Sequence, residues 1–258
     1  MTGRRMPALF IGHGSPMNAI EDTPYSRAWR SLGAALPKPR AILVVSAHWF
    51  TRGTAVTAMD KPKTIHDFGN FPKALHEMRY PAPGSPQLAA DAAALLAPVP
   101  VALDTRWGLD HGAWSVLVHM FPNADVPVVQ LSVDADKTPA EHFDLGARLA
   151  PLRERDILVM ATGNVVHNLE HMEPGRPTPY DWASRFDAFV KNALEARANE
   201  SLIAYEEQPD AALAAPDADH FLPILYIAGI RRDDDPLTHI VDGGLEMGSV
   251  SMRAFQVG

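Results

Sequence analysis

The feature of this sequence that most constrains its fold is the alternation of short, uninterrupted apolar runs with longer amphipathic segments. The apolar runs lack polar alternation, which is typical of parallel strands covered on both faces. The segments between them have helical periodicity and end at glycine, proline or polar clusters. The pattern predicts an α/β fold: a single domain over 1–258, with a mostly parallel central sheet, helices on both faces and an antiparallel C-terminal edge.

The individual elements follow from this pattern. Strands are predicted over 7–11, 41–46, 99–103, 126–133 and 157–162. Helices are predicted over 25–36, 86–96, 114–120, 139–153, 182–198 and 220–228, and Ser85 and Thr138 each precede a proline in the capping position. Near the C-terminus, strands over 238–242 and 249–257 are expected to pair antiparallel through the Gly243–Gly244 turn.

Composition excludes several classes of protein. The formal net charge is −8 and the basic residues are scattered, which argues against nucleic acid and anionic membranes as partners. Every apolar run is shorter than the ~18 residues of a membrane span, and no secretory signal is recognisable, so the expected location is the cytoplasm. With no cysteine in the chain, a transition metal would have to be held by histidine and carboxylate.

Four of the eleven histidines stand beside small residues at places where a site would form. His13, His48 and His167 follow predicted strands, and ligands bind beyond the carboxyl ends of parallel strands. His13 and His48 are separated by about one βαβ unit, roughly 30 residues or more, so their strands are expected to be neighbours with both imidazoles over one rim. A structural role is commoner for any single histidine, but this joint placement favours a metal site. His111 is the fourth.

The other histidines divide into two groups. Segment 60–85 is rich in proline and aromatic residues, and it is expected to be a structured loop that either covers a site or packs its own cluster. Within it, His66 and Asp67 are predicted to contact substrate. Solvated positions are predicted for His76, His119, His142, His171 and His239.

Seven motifs together carry a resemblance to a known family. They are PALFIGHGSPMN at 7–18, VVSAHW at 44–49, TIHDFG at 64–69, DHGAW at 110–114, GNVVHN at 163–168, DHFLP at 219–223 and GLEMGSVSM at 244–252. With these motifs the sequence strongly resembles the class III extradiol ring-cleaving dioxygenases, in the branch that contains DOPA-cleaving enzymes. The match extends over almost the whole chain, and the combination is specific although each motif alone would be weak.

The resemblance implies a single α/β domain, a non-haem Fe(II) centre and O2-dependent opening of a catechol ring, so a small aromatic diol and O2 are the expected partners. His13, His48 and His220 resemble the metal ligands, with Asp217 and Asp219 as rivals to His220 because such iron sites usually include a carboxylate. An all-histidine set also suits Zn(II), which could occupy the purified protein. His167 resembles the acid–base histidine and remains a candidate fourth ligand; His111 resembles the second catalytic histidine.

Two other functions fit the same residues. A zinc-dependent hydrolase would use the imidazoles to activate water, and a non-catalytic binding protein would keep the fold without turnover. The sequence leaves the oligomeric state open.

Overall fold

The longest apolar runs of the chain form the middle of its main sheet in the computed structural model, which describes residues 5–258. The strands in this range are β1 (Ala8–Gly12), β2 (Ala41–Thr51), β3 (Thr54–Thr57), β4 (Val101–Asp104), β5 (Val128–Asp134), β6 (Ile157–Gly163), β7 (Leu237–Val241), β8 (Leu245–Glu246), β9 (Val250–Ser251) and β10 (Ala254–Val257). Eight of them form one sheet in the order β4-β3-β5-β2-β6-β1-β10-β7, and β8 pairs with β9 separately.

Strand directions confirm the predicted architecture. The central strands β5, β2, β6 and β1 are mutually parallel, and β4 is parallel to β3. The C-terminal strand β10 runs antiparallel to both β1 and β7, so the antiparallel edge lies where the sequence indicated. As a result, the carboxyl ends of the four central strands meet at one rim of the sheet.

Helices cover both faces of the sheet. They are α1 (Pro24–Ala35), α2 (Lys73–Glu77), α3 (Pro86–Leu96), α4 (His111–Met120), α5 (Pro139–Leu149), α6 (Asp181–Ala196), α7 (Asn199–Ile203), α8 (Ala211–Ala214) and α9 (Pro223–Ile230). Neighbouring residues of β2 alternate between two cores: Leu43 packs with α3, α5, α6 and α9, whereas Val44 packs with α1 and α4. The absence of polar alternation in β2 thus reflects burial on both faces.

Local sequence signals explain where several helices begin. Thr138 Oγ1 accepts a hydrogen bond from Glu141 N, and the Glu141 carboxylate accepts one from Thr138 N, forming a capping box. Ser85 caps α3 in the predicted way. Asp110 caps α4 by accepting from Ala113 N at 3.2 Å, so this helix begins at His111 and not at the predicted residue 114.

Three further predicted boundaries were wrong for identifiable reasons. The helix expected over 220–228 begins at Pro223, because proline is favoured in the first turn and disfavoured further inside, and His220 therefore lies before it. The helix expected over 139–153 becomes a 3-10 helix after Leu149. The strand expected over 249–257 divides into β9 and β10, because residues 252–253 leave both ladders to bond elsewhere.

Other differences concern elements and placements. The sequence analysis missed β3, β8, α2, α7 and α8, all five residues or shorter. It also expected β1 and β2 to be neighbours, whereas β6 lies between them. His142 is buried rather than solvated, and its Nδ1 lies 3.0 Å from the Tyr226 hydroxyl. In the described range, no helix combines the length and apolar composition that crossing a bilayer requires.

Candidate metal centre

Three histidines from distant parts of the chain converge at the rim of the sheet. His13 follows β1, His48 lies in β2 and His220 precedes α9, and each offers a ring nitrogen within 4.8 Å of the nitrogens of the other two. Nε2 of His13 is 3.0 Å from Nε2 of His48. The ring centroid of His220 lies 5.4 Å from that of His13 and 4.9 Å from that of His48. Such a cluster can offer three imidazole nitrogens to one divalent ion.

Glycines allow the backbone segments that carry these histidines to approach closely. A Cβ on Gly163, at the end of β6, would lie 2.2 Å from the carbonyl oxygen of His220. The bare glycine lets the 218–222 segment descend onto the end of the strand, where Asn164 N donates to the His220 carbonyl at 2.9 Å. Gly12 plays the same part before His13, because a Cβ there would lie 2.8 Å from the carbonyl oxygen of Arg253.

His48 occupies an irregular part of β2. The register against β5 shifts between Ser46 and Phe50, so the residues between them bulge from the ladder. Beneath the imidazole lies Gly112, in the first turn of α4, where an added Cβ would be 2.8 Å from His48 Cδ2. The bulge and the glycine together let the ring lie over the start of the helix.

Carboxylates contact the outer nitrogens of the cluster. Oδ2 of Asp67 lies 3.1 Å from Nδ1 of His48, and Oδ1 of the same side chain lies 3.1 Å from Nδ1 of His111. Oδ2 of Asp219 lies 3.0 Å from Nδ1 of His220. Carboxylates in this position orient metal-binding imidazoles, leaving the other ring nitrogen for the ion.

Burial determines the protonation of the ring nitrogens. It lowers the pKa of His13 and His220 well below the ordinary value, and the surrounding imidazoles lower it further. Burial also opposes the charged form of His48, but Asp67 and Asp110 outweigh it and raise the pKa. Burial would raise the pKa of Asp67, yet His111 and His48 hold it well below its usual range. His13 and His220 are therefore neutral at pH 7, which is the form that binds metals, whereas His48 would release its proton when an ion binds.

His167 and His111 complete the set of imidazoles at this rim. His167 stacks on His220 with ring centroids 3.5 Å apart, and burial lowers its pKa to about 4. The ring of His111 lies 3.9 Å from that of His48 and 5.6 Å from that of His13. Neither belongs to the three-histidine group, so both are available to act beside it.

The remaining predicted site residues lie close by. His66 faces an aromatic cluster, with Nε2 2.9 Å from the Met78 carbonyl oxygen and its ring 5.7 Å from Phe68. Of the two rival carboxylates, Asp219 contacts His220 and Asp217 is exposed. Substrate contacts from His66 and Asp67 stay predictions.

The sequence analysis did not single out the supports beneath His48. Asp110 is fully buried and accepts from Ser46 Oγ at 2.7 Å and from Gln130 Nε2, and Gly112 makes room for the ring. Aspartate is a common capping residue, but the helix was predicted to begin at residue 114, too far from Asp110 for the capping pattern to be seen.

The donor set fits a transition metal. Nε2 of His220 is buried without a hydrogen-bond partner in the described residues. A buried polar atom left unpaired costs roughly 1–3 kcal/mol, so a ligand for this nitrogen is expected. Three imidazoles, each neutral when it binds, would supply suitable lone pairs for a divalent ion of the Fe(II) or Zn(II) type.

Comparison with known families gives a match over most of the chain. The family described as "Catalytic LigB subunit of aromatic ring-opening dioxygenase" matches residues 7–245. That range contains all five histidines at the rim.

Individual proteins give matches of similar extent. A 4,5-DOPA dioxygenase extradiol of Escherichia coli K12 is 52% identical over 100% of this chain and 97% of its own. One from Beta vulgaris is 38% identical, with 92% of each chain covered. The crystal structure of an uncharacterized Escherichia coli K12 protein has a TM-score of 0.88 at 48% identity, covering 98% of this chain and 100% of that one.

Proposed function

Because the chain belongs to the family of the catalytic LigB subunit of aromatic ring-opening dioxygenases, and is an extradiol ring-cleaving dioxygenase, we propose that it opens a DOPA-like catechol with O2 at a non-haem Fe(II) centre. The observation that carries this proposal is the convergence of His13, His48 and His220 within 4.8 Å. Small aromatic diols are proposed as substrates because the relatives at 52% and 38% identity are named as 4,5-DOPA dioxygenases.

The three converging histidines would hold the metal. Once bound there, Fe(II) would supply a Lewis acid that acidifies catechol hydroxyls and a centre at which substrate and O2 can react. Zn(II) also binds imidazole nitrogen well and can occupy the purified protein without supporting oxygen chemistry.

His167 is proposed as the acid–base residue. Its pKa of about 4, caused mainly by burial, keeps the ring neutral and able to accept a proton from a catechol hydroxyl at pH 7. The same proton can then be returned to an oxygen as the ring opens. This exchange needs a ring close to the substrate, and the stack on His220 holds His167 beside a proposed ligand.

His111 is proposed to hydrogen-bond an oxygen of the bound substrate or of O2. Its ring is held between His48 on one side and Phe68, 5.5 Å away, on the other. A fixed hydrogen-bonding group stabilises charge that develops during the reaction without first having to reorganise. His66 and Asp67 stay candidates for substrate contact, and the cytoplasmic location stays a prediction.

The test is reconstitution without oxygen. Protein stripped of metal is loaded with Fe(II) anaerobically, mixed with a panel of catechols that includes DOPA, and then exposed to air while oxygen uptake and visible absorbance are followed. We expect oxygen consumption and a yellow semialdehyde. Hydrolysis of an ester by the Zn(II)-loaded protein in the absence of O2 would support the hydrolase instead. Catechol binding without either reaction would support a binding protein.

A further inference from the structure

One carboxylate connects the three-histidine group to His111. The two oxygens of Asp67 face different imidazoles, Oδ2 at 3.1 Å from Nδ1 of His48 and Oδ1 at 3.1 Å from Nδ1 of His111. Oδ1 also accepts from the backbone nitrogen of His111 at 2.9 Å. The Asp67 side chain is 17% exposed, so water competes little for these contacts.

The position of Asp67 is set by the backbone around it. Ile65 N donates to Leu109 O at 2.7 Å, and Leu109 N donates to Lys63 O at 2.9 Å, so the loop runs beside the segment that enters α4. Trp114 Nε1 adds a hydrogen bond to Ile65 O at 2.8 Å. These bonds hold the residues just before Asp67 against the segment that enters α4, and the carboxylate is therefore held against the two imidazoles by its surroundings.

The chemistry of the contact decides where the ring protons lie. An ionised carboxylate accepts hydrogen bonds and cannot donate one, and a neutral imidazole carries one N–H. Each Nδ1 lies 3.1 Å from an oxygen of Asp67, without the angles of a hydrogen bond, so the carboxylate attracts a proton on Nδ1 and would repel a lone pair there. In a neutral ring with its proton on Nδ1, Nε2 keeps a free lone pair, and for His48 this nitrogen faces Nε2 of His13 at 3.0 Å.

We propose that Asp67 is a positioning residue that holds His48 and His111 together as Nδ1–H tautomers, so that one Nε2 lone pair serves the metal and the other serves the substrate. The inference rests on the proposed function for the roles of the two histidines. It differs from the direct substrate contact expected from the sequence, because both oxygens of Asp67 already face imidazole nitrogens. Among residues 5–258, Asp219 pairs with one imidazole, that of His220, so it does not bridge two rings.

The experiment compares Asp67→Asn with Asp60→Asn. Asparagine keeps the size of aspartate but presents an NH2 group where one oxygen accepted, so it cannot accept from both Nδ1–H groups. Asp60 lies in the same loop with an exposed side chain, so it is a matched control. Zn(II) affinity is measured by competition with a chromogenic chelator. We expect Asp67→Asn to weaken binding about 10–100-fold and Asp60→Asn to leave it unchanged.

A second readout reports the tautomers directly. In Zn(II)-loaded protein with ¹⁵N-labelled histidine, the spectra should show protonated Nδ1 on His48 and His111, with the proton displaced on at least one ring in Asp67→Asn. A merely structural aspartate would not move that signal. Because the wild-type spectrum is itself decisive, the proposal can still be tested if the variant fails to fold.

Three results would overturn the proposal. The first is an unprotonated Nδ1 on either ring in the wild-type protein, and the second is unchanged Zn(II) affinity in Asp67→Asn. The third is binding of two Zn(II) ions with one lost in the variant, because His48, Asp67 and His111 would then hold an ion of their own. None of these readouts needs ring cleavage, so a failure of the proposed function would be distinguished from a failure of this inference.

Discussion

The imidazole of His167 lies flat against that of His220, with ring centroids 3.5 Å apart and planes inclined by 7°. An imidazole binds a metal through a lone pair that lies in the plane of its ring. Two parallel rings stacked at this separation direct their lone pairs along separate planes and are poorly placed to share one ion. The stack therefore favours His167 as an acid–base group beside the proposed ligand His220, and disfavours it as a fourth ligand.

Replacing His167 with alanine should separate catalysis from metal binding. We expect turnover of the Fe(II)-loaded protein to fall by about 10²–10⁴-fold, the usual contribution of general acid–base catalysis, while metal content stays near that of the wild type. Oxygen uptake and elemental analysis measure the two quantities. Loss of the metal in His167→Ala would make His167 a ligand and contradict this assignment.

Replacing His13 or His48 with alanine should remove both metal and activity. Each substitution deletes one of the three converging nitrogens, and two imidazoles hold a divalent ion much less tightly than three. Elemental analysis after dialysis against a weak chelator gives the metal content. His239→Ala is the control, because His239 lies on β7, pairs with Glu195 and is outside the cluster. Wild-type metal content in His13→Ala would refute the proposed centre.

Gly112→Ala should disturb the metal site although alanine is the better helix former. The added methyl would lie 2.8 Å from His48 Cδ2 and 3.0 Å from Ser46 Oγ, so the ring must move. We predict weaker Zn(II) binding with a folded protein, measured by chelator competition and circular dichroism. Gly69→Ala is the matched control, since nothing lies within 4 Å of a Cβ there. Equal affinity in the two variants would mean that the packing under His48 is unimportant.

The buried His142 should make stability depend on pH. Burial lowers its pKa from 6.5 to about 4, so the folded chain binds this proton less tightly than the unfolded chain. Its contribution is present in full above pH 6.5 and is lost as the pH falls through 4. When the pH falls from 7 to 5, we expect the unfolding free energy of the wild type to decrease by about 2 kcal/mol more than that of His142→Gln. Urea titrations of both proteins at the two pH values give these free energies. An equal decrease in the wild type and in His142→Gln would contradict the prediction.

Arg153 should be essential to stability at the far end of the sheet from the histidines. It is fully buried, binds Asp235 through two contacts of 2.5 and 3.1 Å, and donates from Nε to the Met6 carbonyl at 2.7 Å. Arg153→Met leaves the buried carboxylate without its main partner, for which we expect a loss of about 3–5 kcal/mol in urea denaturation.

Arg155→Met supplies the comparison for that substitution. Arg155 is 48% exposed and lies 4.0 Å from Asp91, so its removal should cost less than about 1 kcal/mol. If both variants were equally stable, the buried pair would contribute little to the fold.

The individual strands of the central sheet could be read from the sequence because their signal is local. A run such as that of β2 is apolar throughout, since both faces of the strand are buried, and neighbouring residues alone reveal it. The same holds for the caps at Ser85 and Thr138, where a side chain bonds to backbone three residues away. The short strand β3 was not predicted, because four residues are too few to show a hydrophobic pattern.

The histidines themselves were also found from the sequence, through their small neighbours and through motifs shared with a family. What no local pattern contains is the strand order. β6 enters between β1 and β2 although it comes more than a hundred residues later, and it is Gly163 at its end that admits the His220 segment. The sequence thus identified the histidines that could bind a metal. The tertiary structure decided that they come together and that Asp67 lies between His48 and His111, because this arrangement depends on the packing of elements that are distant in the chain.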